Sequence, residues 1–148
     1  MAASIRGTAG AEPMKLLTTL TLPVRWRDLD AFEHVNNATY LTYLEEARLH
    51  WFAQIKGPWH TSTIAPVVAA VHANYRRQLG WPATLVVELR CERLGNTSLT
   101  IAWRIADAND RDAIYADGNT VMVWIDSASG RPVALPDAVR DACASAAG

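Results

Sequence analysis

Several features that mark large classes of proteins are absent from this chain. It has no run of Lys or Arg, and its 14 basic residues are balanced by 15 acidic ones, which gives a formal net charge of −1. Proteins that bind nucleic acids need clustered cations to displace counterions from phosphates, so no nucleic-acid partner is expected. No apolar stretch approaches the ~20 residues that a helix needs to cross a bilayer, so no membrane partner is expected either.

Cysteine is scarce, and several catalytic motifs are missing. The chain has two cysteines and lacks a secretory signal, so we expect a reduced, cytoplasmic protein without a disulfide framework. It also lacks the G-x-S-x-G motif of serine hydrolases and the G-x-G-x-x-G motif of dinucleotide-binding folds. His50, His60 and His72 show no ligand spacing with cysteine or acidic residues, so no metal site is predicted.

The length of the chain suits one domain. Its 148 residues are 50% hydrophobic, which is enough for one core and too little for two ordinary domains. Residues 1–14 are rich in Ala and Gly and lack an apolar run, which predicts a disordered leader. A single folded domain is therefore expected over residues 15–148.

One long helix is predicted after Asn37. From there, apolar residues recur at three- and four-residue steps, at Tyr40, Leu44, Ala47, Trp51 and Ile55. Gly57 and Pro58 are expected to end this helix. Asn36 or Asn37 is expected to be its N-cap, because an Asn side chain can accept a hydrogen bond from a free N–H of the first turn.

The other segments predict five strands of one antiparallel sheet. They lie at residues 15–27, 67–76, 85–92, 99–105 and 113–125. Pro23 favours an edge position for the first strand. In the second strand, Val67 and Val71 are expected to share one face.

Turn signals connect these strands. Gly95 and Asn96 turn the chain between the third and fourth strands. A shift in the apolar alternation of the last strand is assigned to a bulge at Gly118. Together with a short helix at residues 136–147, this order predicts an α+β domain in which one helix packs on one sheet.

Polar side chains are concentrated just ahead of the long helix, at Asp28, Asp30, His34, Asn36 and Asn37. A carboxylate beside a helix N-terminus combines a nucleophile or base with N–H donors that stabilise an oxyanion, as acyl transfer requires. This pattern indicates a thioester-cleaving enzyme.

Each of these side chains also has a structural interpretation. Asp30 is expected to be ionised and to attack the substrate itself or to activate a water, but an Asp in a loop commonly accepts backbone hydrogen bonds. His34 can position the thioester carbonyl, protonate the leaving thiolate or brace the loop. Asp28 is expected to pair with Arg25 or Arg27.

Three segments together resemble a known family. They are RWRDLD at residues 25–30, HVNNATYL at 34–41 and LEEAR at 44–48, with weaker support from 74–77, 93–98 and 121–126. In this order they are similar to the hot dog fold, and specifically to the 4-hydroxybenzoyl-CoA thioesterases and related acyl-CoA thioesterases.

The resemblance implies an architecture and an activity. The fold would be a central helix wrapped by a curved antiparallel sheet of about five strands. The chain would form a homodimer or homotetramer in which sheets join edge to edge and subunits share the active site. It would hydrolyse acyl-CoA without a metal or redox cofactor, since CoA enters as part of the substrate.

The resemblance also implies residue roles. The catalytic Asp of the family falls on Asp30, and His34 and Asn37 lie on the same loop. Glu46 either points into the partner's site, as in relatives with a helix glutamate, or faces solvent near His50. The expected substrate-binding residues are Asn36, Arg77 and the turn formed by Gly95, Asn96, Thr97 and Ser98. Tyr40 and Tyr43 are added from the apolar stripe of the helix, where they either belong to the core or line the acyl pocket.

Some positions depart from the family pattern. Plant-type thioesterases of acyl carrier proteins have an Asn where this chain has Phe32, and many relatives have Gly where it has Glu33. The turn at residues 95–98 has no cation to bind phosphate. Three other activities stay open: a non-catalytic acyl-thioester binding protein, an acyl-carrier-protein thioesterase and a hot dog hydratase.

Overall fold

The computed structural model describes residues 14–144. The predicted leader lies almost entirely outside the described residues, as do residues 145–148. The elements are β1 (Lys15–Pro23), a short 3-10 helix (Trp26–Asp28), α1 (Asn37–Gln54), β2 (Ile64–Tyr75), β3 (Thr84–Leu94), β4 (Ser98–Asp107), β5 (Asp110–Asp126) and α2 (Asp137–Ala144). Neither α-helix of this region is long and apolar enough to cross a membrane.

The five strands form one antiparallel sheet in the order β1-β3-β4-β5-β2. β3, β4 and β5 follow one another as a meander, while β1 and β2 occupy the two edges. The sheet is open, and the α+β fold class predicted from the sequence is confirmed.

α1 packs against the inner face of the sheet. It begins where predicted, because the Asn36 side chain accepts a hydrogen bond from the N–H of Ala38 at 2.8 Å. Its buried side chains are Tyr40, Tyr43, Leu44, Ala47, Trp51 and Phe52. Each large apolar side chain buried in this way stabilises the fold by about 1.5–3 kcal/mol. This packing fixes the helix relative to β1 and β3, the two strands against which it lies.

Two sequence predictions about the edge strands β1 and β2 are wrong. β1 ends at Pro23, because the chain turns into the 3-10 helix and leaves Arg25 and Arg27 outside the sheet. In β2, the register shifts between Val68 and Ala70. Val67 therefore pairs with Val123 on the outer face, while Val71 pairs with Thr120 on the face of α1, so these two valines do not share a face.

Gly118 is not the site of a bulge. It pairs in register with Ala73 of β2 and Trp103 of β4, and the irregularity in β5 lies instead opposite Ile105, Ala106 and Asp107. A Cβ at position 118 would lie 1.9 Å from the carbonyl oxygen of His72. Glycine is needed here because β2 and β5 approach too closely for a side chain.

Candidate active site

The loop between the 3-10 helix and α1 is tightly closed on itself. The N–H of Asp30 donates to the carbonyl of His34 at 3.0 Å, and the N–H of Glu33 donates to the carbonyl of Asp30 at 2.9 Å. Leu29 and Val35 form an isolated bridge at the base of this loop. These bonds hold the Asp30 and His34 side chains at one end of α1.

The loop is anchored to the rest of the molecule at two points. The N–H of Val35 donates to the carbonyl of Leu79 at 2.7 Å, which ties the loop to the segment that follows β2. The N–H of Asn36 donates to the carbonyl of Asp28 at 3.1 Å. The loop that carries Asp30 is therefore held by the segment that follows β2 as well as by the start of α1.

Asp30 is partly buried, and one of its two carboxylate oxygens is used within the loop. Its Oδ1 accepts the N–H of Phe32 at 2.9 Å, which is the loop-bracing bond of a turn aspartate. Oδ2 accepts no hydrogen bond among residues 14–144 and so keeps its lone pairs free for a reaction. Asp30 also lines a pocket of about 340 Å³.

This pocket brings together five of the predicted site residues, namely Asp30, His34, Asn37, Tyr40 and Arg77. The His34 ring makes no hydrogen bond within the described residues, so no side-chain contact supports the bracing role. Burial, together with the neighbouring Tyr75 and Tyr115, raises the pKa of Tyr40 to about 12. The Tyr40 hydroxyl therefore stays protonated at neutral pH and can donate a hydrogen bond.

The first turn of α1 offers one unused donor. The N–H of Ala38 is taken by the Asn36 side chain, and the N–H of Thr39 donates to the Asn36 carbonyl at 2.9 Å. Within the described part of the chain, the N–H of Asn37 has no acceptor. Asn36 thus acts as the N-cap, and Asn37 presents its N–H at the helix terminus, where the dipole favours negative charge.

The structure adds pocket residues that sequence reasoning did not assign to this site: Phe32, Val35, Tyr75, Arg76, Gln78 and Leu79. The hydroxyl of Tyr75 donates to the carbonyl of Asn37 at 3.2 Å, and its ring meets that of Tyr40 edge to face at 5.1 Å. Arg76 pairs with Asp117 at 2.7 Å. Spacing along the sequence gives no signal for these contacts, because they depend on β2 being the edge strand beside β5.

Tyr43 and Asp28 form a separate contact next to the pocket. The Tyr43 hydroxyl donates to Oδ2 of Asp28 at 2.7 Å, and that oxygen also accepts the N–H of Arg25 at 2.9 Å. Burial and this hydrogen bond raise the pKa of Tyr43. Asp28 thus bonds to the backbone of Arg25 rather than pairing with an Arg side chain, and Tyr43, which was predicted to bind substrate, is not among the residues that line the pocket.

Glu46 and the turn at residues 95–98 lie far from Asp30 in the same chain. Glu46 is nine residues along α1 from Asn37, or about 13 Å along the helix axis. Ser98, at the turn, lies level with Val67 of β2, because both residues pair with Val123 of β5. Tyr75, which lines the Asp30 pocket, is eight residues further along β2. At ~3.3 Å per residue, the turn is about 25 Å away, at the opposite end of the sheet.

The turn is held by the C-terminal helix. Arg140 of α2 donates to the carbonyl of Gly95 at 2.9 Å and to that of Asn96 at 3.3 Å. The N–H of Trp124 donates to the Thr97 carbonyl at 3.1 Å.

No group of three or more His, Cys, Asp or Glu side chains among residues 14–144 is placed to hold a metal ion.

Comparison with known proteins agrees with this architecture. The thioesterase-like superfamily matches residues 24–143. The long-chain acyl-CoA thioesterase FadM of Escherichia coli is 30% identical over 122 residues, which are 81% of this chain and 92% of FadM.

Two solved structures are similar over most of the chain. A candidate acyl-CoA thioesterase from Xanthomonas campestris is 49% identical, with a TM-score of 0.73, covering 80% of this chain and 98% of the other. The PA2801 protein, a candidate thioesterase from Pseudomonas aeruginosa, is 39% identical, with a TM-score of 0.82, covering 88% and 100%. The chain therefore belongs to the thioesterase-like superfamily and has the hot dog fold.

Proposed function

We propose that this protein hydrolyses acyl-CoA thioesters and that Asp30 drives the reaction. The observation that carries the proposal is the shared pocket, onto which the Asp30 carboxylate and the N-terminus of α1 both open. The kinship with the long-chain acyl-CoA thioesterase FadM supports the same substrate class.

The chemistry requires a nucleophile, an oxyanion site and a proton for the leaving group. Either Asp30 attacks the thioester carbonyl and forms a mixed anhydride that water then hydrolyses, or it takes a proton from an attacking water. In both cases the C–S bond breaks, the CoA thiolate gains a proton and the free acid is released. The unused N–H of Asn37 would stabilise the oxyanion, and such a donor contributes about 3 kcal/mol in known enzymes.

We further propose that the active form is a homodimer paired through β2. This edge strand exposes Val67, Val68, Val71 and Tyr75, together with unpaired backbone groups. Antiparallel pairing about a two-fold axis would place the end of one β2 beside the start of the other. The turn at residues 95–98 of one subunit would then come to the same side of the dimer as the Asp30 pocket of its partner.

The test of the activity is release of CoA from short, medium, long and aromatic acyl-CoAs by the wild type and by Asp30→Asn. We expect the substitution to lower kcat at least about a hundredfold, because it removes the charge but keeps the shape. Asp112→Asn makes the same change on an exposed side chain of β5 and serves as the control. Near-normal turnover by Asp30→Asn would refute the assignment of Asp30, and binding without turnover by the wild type would favour a binding protein.

A further inference from the structure

A second cavity lies between α1 and the start of β2. It has a volume of about 450 Å³, within the range of small-molecule sites. Its apolar wall is formed by Leu49, Phe52, Trp59, Val68 and Met122. The rings of Phe52 and Trp59 are stacked, with their centroids 4.4 Å apart, and form one side of this groove.

Arg48 brings a positive charge to this groove, which the His60 ring also lines. Arg48 is half-buried, and its guanidinium makes no hydrogen bond or ion pair of ≤ 4.0 Å with any residue from 14 to 144. Burial lowers the pKa of Arg48, and the charge of Glu45, one helical turn earlier on the exposed rim, counteracts this. A guanidinium carries five N–H donors, and none of those of Arg48 is used within the described residues, so they are available to an acceptor on a ligand.

The position of the groove relates it to the proposed reaction. Arg48 is eleven residues along α1 from Asn37, about 16 Å along the helix axis. Ala65, Pro66 and Val68 at the start of β2 line the groove, whereas Tyr75 at its end lines the Asp30 pocket. The antiparallel β2 pairing proposed above would therefore set the groove of one subunit beside the Asp30 pocket of the other.

We propose that this groove binds the acyl group of the substrate and that Arg48 selects acyl groups ending in a carboxylate. This inference rests on the proposed thioesterase function and specifies its substrate class as the monothioesters of dicarboxylic acids. The apolar wall accommodates the methylene chain, and the planar guanidinium binds the distal carboxylate through two parallel hydrogen bonds. A plain fatty acyl chain would fill the same space but leave the Arg48 donors unpaired.

The first test is kinetic and compares acyl-CoAs of equal length with and without a terminal carboxylate, such as suberoyl-CoA and octanoyl-CoA. We expect the KM for suberoyl-CoA to be lower by about tenfold or more, with similar kcat, because the contact is remote from the thioester. Arg48→Met should abolish the difference, Arg48→Lys should keep part of it, and Arg27→Met on the exposed 3-10 helix should leave it intact. Equal KM values in the wild type, or a preference that survives in Arg48→Met, would overturn the proposal.

The second test does not depend on catalysis. Titration calorimetry with suberate and with octanamide, an uncharged chain of the same length, measures the groove directly, in the wild type and in Asp30→Asn. Tighter binding of suberate that is lost in Arg48→Met would support the groove even if no thioester were hydrolysed. If the protein hydrolyses thioesters but its binding of suberate does not depend on Arg48, the proposed function stands and the proposed role of the groove is refuted.

Discussion

Glu33 carries backbone strain in the loop that presents Asp30. Its φ of +65° lies in the left-handed region, where residues with a Cβ are disfavoured. The family resemblance described above implies glycine at this position in many relatives, and the left-handed backbone gives a physical reason for it. The N–H of Glu33 donates to the carbonyl of Asp30, so the strained residue also takes part in closing the loop that presents Asp30.

We predict that Glu33→Gly raises the free energy of unfolding by about 0.5–1 kcal/mol, because glycine adopts this backbone conformation without a steric penalty. Urea denaturation measures the change. Glu45→Gly makes the same substitution at an exposed position inside α1 and should lower stability by about 1 kcal/mol. A loss of stability in both variants would contradict the strain at position 33.

The Tyr43 hydroxyl supports the same loop through Asp28. We predict that Tyr43→Phe lowers the free energy of unfolding by about 1–2 kcal/mol, since it removes a part-buried hydrogen bond to a carboxylate. Tyr75→Phe removes a longer bond, of 3.2 Å, from an exposed tyrosine and should change stability by less than about 0.5 kcal/mol. Chemical denaturation of both variants checks the ranking, and equal losses would refute it.

At the scale of elements, local signals in the sequence gave the correct structure where one residue determines it. Asn36 marked the start of α1, and Gly95 with Asn96 marked the β3–β4 turn. The bulge between Val68 and Ala70 was not visible, because residues 67–71 are all apolar and no alternation marks a change of face. The contributions of Arg76 and Gln78 to the pocket depend on sheet order, which sequence spacing does not encode.

The close approach of β2 and β5 makes Gly118 critical. We predict that Gly118→Ala destabilises the fold by about 3 kcal/mol or more, because the new Cβ meets the His72 backbone rather than a movable side chain. Gly80→Ala is the control, since its nearest neighbour would be 4.0 Å away. Thermal unfolding of both proteins would show the difference, and a mild effect at position 118 would mean that β2 can move away from β5.

Three strands are joined on the outer face of the sheet by one buried carboxylate. Glu88 of β3 accepts two hydrogen bonds from Arg111 of β5, at 2.7 and 3.2 Å, and lies 3.4 Å from Arg104 of β4. Burial alone would raise the pKa of Glu88, but the Arg111 hydrogen bonds and the charges of Arg104 and Arg90 outweigh it and lower the pKa. A lowered pKa means that this carboxylate stabilises the fold only while it is ionised.

The stability that the Glu88 carboxylate supplies should therefore depend on pH. The contribution is complete above the unfolded-state pKa of about 4.3 and is lost as the pH falls through the lower folded-state pKa. We predict that Glu88→Gln costs about 2 kcal/mol at pH 7 and that the gap to the wild type narrows in acid. Urea denaturation from neutral to acidic pH tests this, with the exposed Glu92→Gln as control, and a gap that does not change with pH would refute it.

At the scale of the whole molecule, the open sheet leaves two edge strands, β1 and β2, that a second subunit could extend. The distribution of the predicted site residues along the sheet is the reason for proposing β2. One chain alone keeps Glu46 and the turn at residues 95–98 away from Asp30, whereas two chains joined at β2 would bring distant ends of the sheet together. We predict that Val71→Lys dissociates the proposed β2-paired dimer, because a lysine on an edge strand opposes pairing with another strand. Val71 is 42% exposed in the single chain, so its replacement should leave the fold intact.

Sedimentation velocity at micromolar concentration measures the oligomeric state, and CoA release measures the activity. Leu16→Lys places the same charge on β1, the other edge, where the exposure of the leucine is 43%. We expect the wild type and Leu16→Lys to be dimeric or larger and active, and Val71→Lys to be monomeric and to lose turnover, because its Asp30 pocket lacks the second subunit. A monomeric wild type would reject the dimer, whereas dissociation by Leu16→Lys alone would assign the pairing to β1 and separate Asp30 from the groove of Arg48.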